Sequence, residues 1–176
     1  MSNLPAVRAK ESQTSHEIIQ LVSFELAGEE YGIDVLMVRE IIRMPDITKM
    51  PNTPDYVDGI INLRGTVVPI ISLRRRFGLM EREQDRQSRI LVMEVGTSLT
   101  GFVVDAVAEV IRVSSAEIQP PPAIVQGNAA QDCITGVINH GERLLIVLDI
   151  NRLFSEEERA AFEAPELSLD RLNSFE

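Results

Sequence analysis

Gly59–Phe77 reads GIINLRGTVVPIISLRRRF, and Gly136–Phe154 reads GVINHGERLLIVLDINRLF. The two stretches align without a gap. Gly59/Gly136, Ile61/Ile138, Asn62/Asn139, Arg75/Arg152 and Phe77/Phe154 coincide. Apolar residues face apolar residues at Val68/Leu145, Ile70/Val147, Ile71/Leu148 and Leu73/Ile150. Each stretch reads as a hairpin, with turns at Arg64-Gly65 and His140-Gly141-Glu142. Gly65 can take the positive φ of a tight turn. A second pair precedes them in the same order: Glu40-Ile41-Ile42-Arg43-Met44 and Glu109-Val110-Ile111-Arg112-Val113. Strands everywhere favour Val and Ile, which alone makes hairpins look alike. Two elements repeated in one order point instead to duplication. About five short strands per unit suffice for a small closed barrel, and closure removes exposed edges. The expectation is a mainly β protein of two five-stranded barrels side by side. Each has a thin core, so an apolar seam should join them.

Working outward, Ile18–Leu26 has the β-branched, partly alternating pattern of a strand, and Tyr31–Asp34 of a second after a turn. Val35–Ile42 reads as a helical turn followed by a strand through Arg43. Pro45–Pro54 is a proline-rich loop. Pro69 interrupts the second arm of its hairpin, which suggests an edge or a bulge. Leu73–Gly78 can make one helical turn ended by Gly78. Arg89–Val95, Gly101–Val104 and Val107–Val113 read as strands. Gln119–Asp132, with Pro120-Pro121-Pro122, is the longest loop. Ser155 and Glu158 form a capping box for a short C-terminal helix to about Phe162. The expected organisation is a tail over residues 1–16, a barrel pair over 17–154 and a helix with an acidic tail over 155–176. Approximate halves at 17–88 and 89–154 allow for strands exchanged between them.

Of the 176 residues, 44% are hydrophobic and 25% charged, as in globular proteins. The net charge of −10 divides unevenly: +1 over residues 1–16, −6 over 17–154 and −5 over 155–176. Aromatics make up 5% of the chain. The one basic cluster, Arg74-Arg75-Arg76, is followed by Glu81, Glu83 and Asp85. A nucleic-acid surface would interleave basic and aromatic residues, so that class is disfavoured. No apolar run approaches the roughly 20 residues of a membrane-spanning helix, so no membrane insertion is expected. The single cysteine, Cys133, rules out an internal disulfide and suits a reducing compartment.

No set of residues points to catalysis. The two histidines, His16 and His140, have no Cys or His at metal-ligand spacing. Cys133 has only His140 in its region as a base, and reads as structural. No Walker or Rossmann glycine loop occurs. No cofactor, metal or enzymatic activity is expected, and a binding module is favoured. Two charges stand out: Arg64 at a hairpin tip in otherwise apolar sequence, and Glu40 beside Val38 and Ile41. Chemistry alone favours the plainer reading, a turn residue chosen for solubility and a solvent-facing strand residue.

These residues carry a resemblance to a known family. Glu30-Tyr31-Gly32-Ile33-Asp34, Val38-Arg39-Glu40-Ile41, Asn52-Thr53-Pro54, Asn62-Leu63-Arg64-Gly65 and Val68-Pro69-Ile70 look like CheW, the bacterial chemotaxis coupling proteins. Gly101, Val103-Val104-Asp105, Val107 and Leu145-Ile146-Val147 continue the match, which spans about Gln20 to Phe154. The resemblance implies two SH3-like barrels in a cytoplasmic, non-enzymatic adaptor associated with membrane receptor arrays. Its implied partners are the tips of methyl-accepting chemoreceptors and the regulatory domain of the histidine kinase CheA. The implied receptor-binding positions are Val38, Glu40, Ile41 and Arg64, with Val107 and Val110 as counterparts in the second half. Kinase-binding residues stay unassigned. A chemosensory system that does not drive swimming, twitching motility for example, is the nearest alternative, and a small-ligand-binding barrel a more distant one. Glu40 and Arg64 would either pair with each other or meet polar groups of the receptor.

Overall fold

The computed structural model describes residues 17–122 and 132–162. The expected tail 1–16, most of the loop Gln119–Asp132 and the acidic stretch after Phe162 lie outside the described residues. The elements run β1 (Ile18–Leu26), β2 (Glu29–Asp34), β3 (Val38–Arg43), β4 (Val57–Leu63), β5 (Thr66–Ser72) and α1 (Leu73–Arg76). They continue with β6 (Arg89–Val95), β7 (Ser98–Val104), β8 (Ala106–Ser114), β9 (Ile134–His140), β10 (Arg143–Leu148) and α2 (Glu156–Phe162). The turn expected before β3 is a 3-10 turn at Val35–Met37, whose start the Asp34 carboxylate caps by accepting from the Leu36 N–H at 2.9 Å.

The strands form two five-stranded sheets, ordered β3-β6-β7-β5-β4 and β8-β1-β2-β10-β9. The orders match strand for strand, as a duplication requires. Both are SH3-like barrels, called here barrel 1 and barrel 2. They are not contiguous halves of the chain. The amino-terminal hairpin β1–β2 joins β8, β9 and β10 in barrel 2, while barrel 1 is the uninterrupted segment between β3 and β7.

Each barrel is closed by one short bridge at equivalent places. Thr48 exchanges backbone hydrogen bonds with Ile60 at 2.9 and 2.8 Å, and Gln119 with Val137 at 2.9 and 2.8 Å. The crossing chain lies against a bare Cα each time. A Cβ on Gly59 would stand 2.2 Å from the Thr48 carbonyl oxygen, and one on Gly136 would stand 2.3 Å from Ile118 Cγ2. This explains why the repeat keeps glycine at both positions. Pro69 does not sit on an edge strand, since β5 is interior. It faces Ile60 across the β4 ladder, and the pairing with β7 starts only at Ile70, so the imide falls where β5 has a neighbour on one side.

Three apolar clusters result. Ile61, Val68, Ile70, Ile90 and Val92 fill barrel 1, and Leu21, Ile111, Val113, Ile138, Leu145 and Val147 fill barrel 2. The largest is the seam between them. Ile71, Leu73, Leu91, Met93, Phe102 and Val104 of barrel 1 meet Phe24, Leu26, Tyr31, Ile33, Cys133 and Leu148 of barrel 2 there. Burial in this cluster pushes the Cys133 thiol up to about 12.

After β10 the chain turns through Ile150–Arg152 and crosses to barrel 1, burying Ile150, Leu153 and Phe154 in the seam. The capping box forms as read. The Ser155 N–H donates to Glu158 Oε1 at 2.9 Å, and the Glu158 N–H donates to Ser155 Oγ at 3.1 Å. Glu158 also accepts from both terminal nitrogens of Arg76, at 3.0 and 2.9 Å, and from the Tyr56 hydroxyl at 2.8 Å. Burial raises the Glu158 carboxyl, but the Ser155 N–H, the Tyr56 hydroxyl and Arg76 outweigh it and lower it to about 2.

Alanine at Gly28, where φ is +80° and space is open, should cost about 1–2 kcal/mol from backbone strain alone. Gly59→Ala meets fixed backbone and should cost more than about 3 kcal/mol, read from urea midpoints at constant slope. Because the Glu158 carboxyl is lowered on folding, its contribution is complete above the ordinary carboxylate range and is lost as pH falls towards 2. Between those limits the stability of the wild type should fall more steeply with acid than that of Glu158→Gln. Parallel curves would remove Glu158 from the acid response.

Candidate functional site

The six residues implied as receptor-binding stand on two equivalent strands and one hairpin tip. Val38, Glu40 and Ile41 lie on β3 of barrel 1, and Val107 and Val110 on β8 of barrel 2. Val38 and Val107 both pack on the seam cluster, so the two strands approach the junction from opposite sides. Ile41, 41% exposed, and Val110, 54% exposed, belong to none of the buried clusters. Apolar side chains on a surface without a covering element are available to a partner.

Both strands carry one extra residue within this set. β3 shifts register against β6 between Val38 and Glu40. β8 shifts against β1 between the pairs Val22–Val110 and Phe24–Val107. A bulge of this kind re-aims the side chains beside it and sharpens the local twist. The second bulge is filled by Ser23, which is fully buried. Its hydroxyl donates to the Glu109 carbonyl at 2.9 Å and accepts from the Glu109 N–H at 3.1 Å. Periodicity read along β8 alone could not reveal it. The only trace is a serine in the run Leu21-Val22-Ser23-Phe24.

Arg64 sits at the tip of β4–β5 with φ +51°, followed by Gly65 at +90°. Two consecutive positive φ values fit the right-handed twist of the hairpin arms. The Asn62 side-chain carbonyl accepts from the Gly65 N–H at 2.7 Å and fixes the tip. Arg64 and Glu40 pair with each other. Arg64 Nη1 donates to Glu40 Oε2 at 2.9 Å, and Nη2 donates to Oε1. The arrangement is a planar two-bond fork, which holds both groups in one orientation at the surface. The hydrogen bond from Arg64 holds the Glu40 carboxyl below the usual carboxylate range. In barrel 2 the corresponding strand and tip bring Glu109 within 3.7 Å of His140 Nε2, with Glu30 at 3.8 Å.

The three arginines of α1, set aside above as a mere basic cluster, are residues whose partners the sequence did not reveal. Arg74 bonds Asp105 at 3.0 and 2.6 Å, and Asp105 also accepts from the Ala27 N–H at 2.8 Å. Burial raises the Asp105 carboxyl, but these partners outweigh it and leave it lowered. Arg75 pairs with Asp58 at 2.8 Å and with Glu81. These residues, with Lys49 and Arg82, line a polar cleft of about 490 Å³ beside α1. Its arginines are already paired with its acids. Among the described residues no group of three His, Cys, Asp or Glu side chains is placed to hold a metal ion.

The description CheW-like domain matches residues 20–158 of the chain. The chain belongs to the CheW family. It is 42% identical over 146 residues to the chemotaxis protein CheW of Treponema pallidum, covering 81% of this chain and 85% of that protein. It is 40% identical over 141 residues to CheW of Klebsiella aerogenes, covering 80% and 84%. The crystal structure of the scaffolding protein TtCheW from Thermoanaerobacter tengcongensis superposes with a TM-score of 0.72 at 37% identity, covering 79% of this chain and 94% of that one. The protein is therefore a CheW-type chemotaxis scaffold and not an enzyme, and no described helix is long and apolar enough to cross a membrane.

Ser23→Ala removes both part-buried hydrogen bonds to the Glu109 backbone from a buried position, so it should cost about 0.5–1.5 kcal/mol in urea unfolding. The amide resonances of Val107 and Val110 should shift with it. A variant as stable as the wild type would show that Ser23 does not hold the bulge.

Proposed function

We propose that the protein couples the cytoplasmic tips of methyl-accepting chemoreceptors to the histidine kinase CheA, through the kinase's regulatory domain. It does this in the cytoplasm, at membrane receptor arrays. The observation that carries this reading is the convergence of two bulged strands, one from each barrel, on a shared apolar junction beside a fixed Glu40–Arg64 fork. A receptor tip is a helical hairpin. Its apolar ridge suits a groove walled by Val38 and Ile41 on one side and Val107 and Val110 on the other. The fork supplies orientation, since a paired carboxylate and guanidinium present fixed acceptors and donors to helix polar groups.

Arg64 is exposed, Glu40 is half-buried, and neither joins a buried cluster, so alanine at either should change the unfolding midpoint little. In reconstituted arrays of receptor fragments, CheA and this protein, either substitution should lower receptor-dependent kinase autophosphorylation by about tenfold, the loss typical of an interface hot spot. Val110→Asp should do the same by placing a charge in the groove. Kinase activity equal to wild type in all three variants would overturn the receptor assignment.

A further inference from the structure

The chain beyond β10 leaves the barrel it completes and fastens to the other one. Ile150, Leu153 and Phe154 are buried in the seam, and α2 lies against barrel 1. With seven residues, α2 is too short to be stable in isolation. Among the described residues, the Glu158 carboxylate makes both its cap and its docking contact. Glu158 accepts from the Ser155 N–H as the third helical residue of the capping box, and from Arg76 and Tyr56 as the docking contact. Helix closure and docking are therefore coupled through a single side chain. Arg76 completes the arrangement from the barrel side. Its guanidinium donates to the Leu153 carbonyl at 2.7 and 3.2 Å and stands 4.7 Å over the Tyr56 ring and 5.2 Å over the Phe154 ring. The rest of the seam is different in kind. Apart from Leu73 of α1 and Cys133, it is built from strand residues locked in two ladders, which open only with the barrels.

We propose that residues 149–162 form a strap that lifts and re-closes as a unit on the intact barrel pair, with the Arg76–Glu158 contact as its catch. Lifting it removes Ile150, Leu153 and Phe154 from the seam and uncovers what lies beneath. Cys133 lies there. It shares the cluster with those three residues, and its carbonyl accepts from the Asp149 N–H at 2.8 Å. It is the sole cysteine of the sequence and fully buried, so its reaction with a thiol reagent reports strap opening without an added label. The device is independent of the receptor assignment, since neither Arg76 nor Glu158 belongs to the groove.

The test is the rate of N-ethylmaleimide labelling of Cys133 in the full chain, followed by intact mass at low urea. Glu158→Gln and Arg76→Gln should each speed labelling at least tenfold, with a urea dependence well below that of global unfolding, because the open state exposes only the strap and what it covers. Ile61→Val, in the interior of barrel 1, provides the comparison, because it lowers global stability without touching the strap. Hydrogen exchange at the amides of α2 should accelerate in the two strap variants, with the amides of β6 and β7 still protected. Labelling that rises only as far as global stability falls, in line with Ile61→Val, would overturn the proposal. So would protection lost equally across α2 and the strands.

Discussion

A barrel of five short strands encloses little, and that shortage governs the molecule. Five buried side chains fill the interior of barrel 1 and six that of barrel 2. Each fully buried aliphatic contributes about 1.5–3 kcal/mol against an ordering cost of about 1–2 kcal/mol per residue, so neither interior can hold its barrel alone. The seam makes up the difference by turning one outer face of each barrel into core. The ion pairs Arg74–Asp105 and Arg76–Glu158 sit at its margins and refine a placement the apolar contact sets. Val38 and Val107 pack on the seam cluster, so the placement of β3 and β8 at the junction rests on the contact that stabilises the fold.

Charge in this protein is spent mostly on itself. Three consecutive arginines in an acidic chain look like a surface for an anionic partner. In the folded molecule all three are satisfied by carboxylates or carbonyls of the same chain, and the arginines that line the neighbouring cleft are already paired with acids. The Glu40–Arg64 fork is paired too, but in a different setting. It lies at an exposed hairpin tip beside exposed aliphatic side chains, where a pairing can serve orientation more than stability.

The features legible in the sequence were those set by local pattern. The hairpin arms, the Arg64-Gly65 turn, the helical turn at Val35, the capping box at Ser155 and the duplicated order all depend on residues close together in the chain. What escaped was decided by pairing over distance. Nothing in Ile18–Asp34 announces that its strands complete the barrel of the other repeat. The bulges in β3 and β8 arise because each strand's neighbour is one residue shorter there, and Ser23 is recognisable as a filler only once Glu109 lies beside it. The glycines of the repeat were visible as identities. Their reason, a carbonyl or a methyl group passing within contact of Cα, belongs to the closure of the barrels. The sequence also left open whether Glu40 and Arg64 pair, since a side chain's choice between a neighbour and solvent is made by the tip geometry.

The membership of β1–β2 in barrel 2 has a consequence for synthesis. Barrel 1 is contiguous and can close as soon as β7 has left the ribosome. The hairpin β1–β2 precedes the other strands and is completed after them, because its neighbours β8 and β10 follow barrel 1 in the chain. At about 5–20 residues per second it waits on the order of ten seconds with Leu21, Val22, Phe24 and Leu26 lacking their eventual neighbours. The newborn chain thus carries a sticky, half-finished edge until β8 and β10 emerge, and in that interval a chaperone or a neighbouring nascent chain has its best opportunity to intervene.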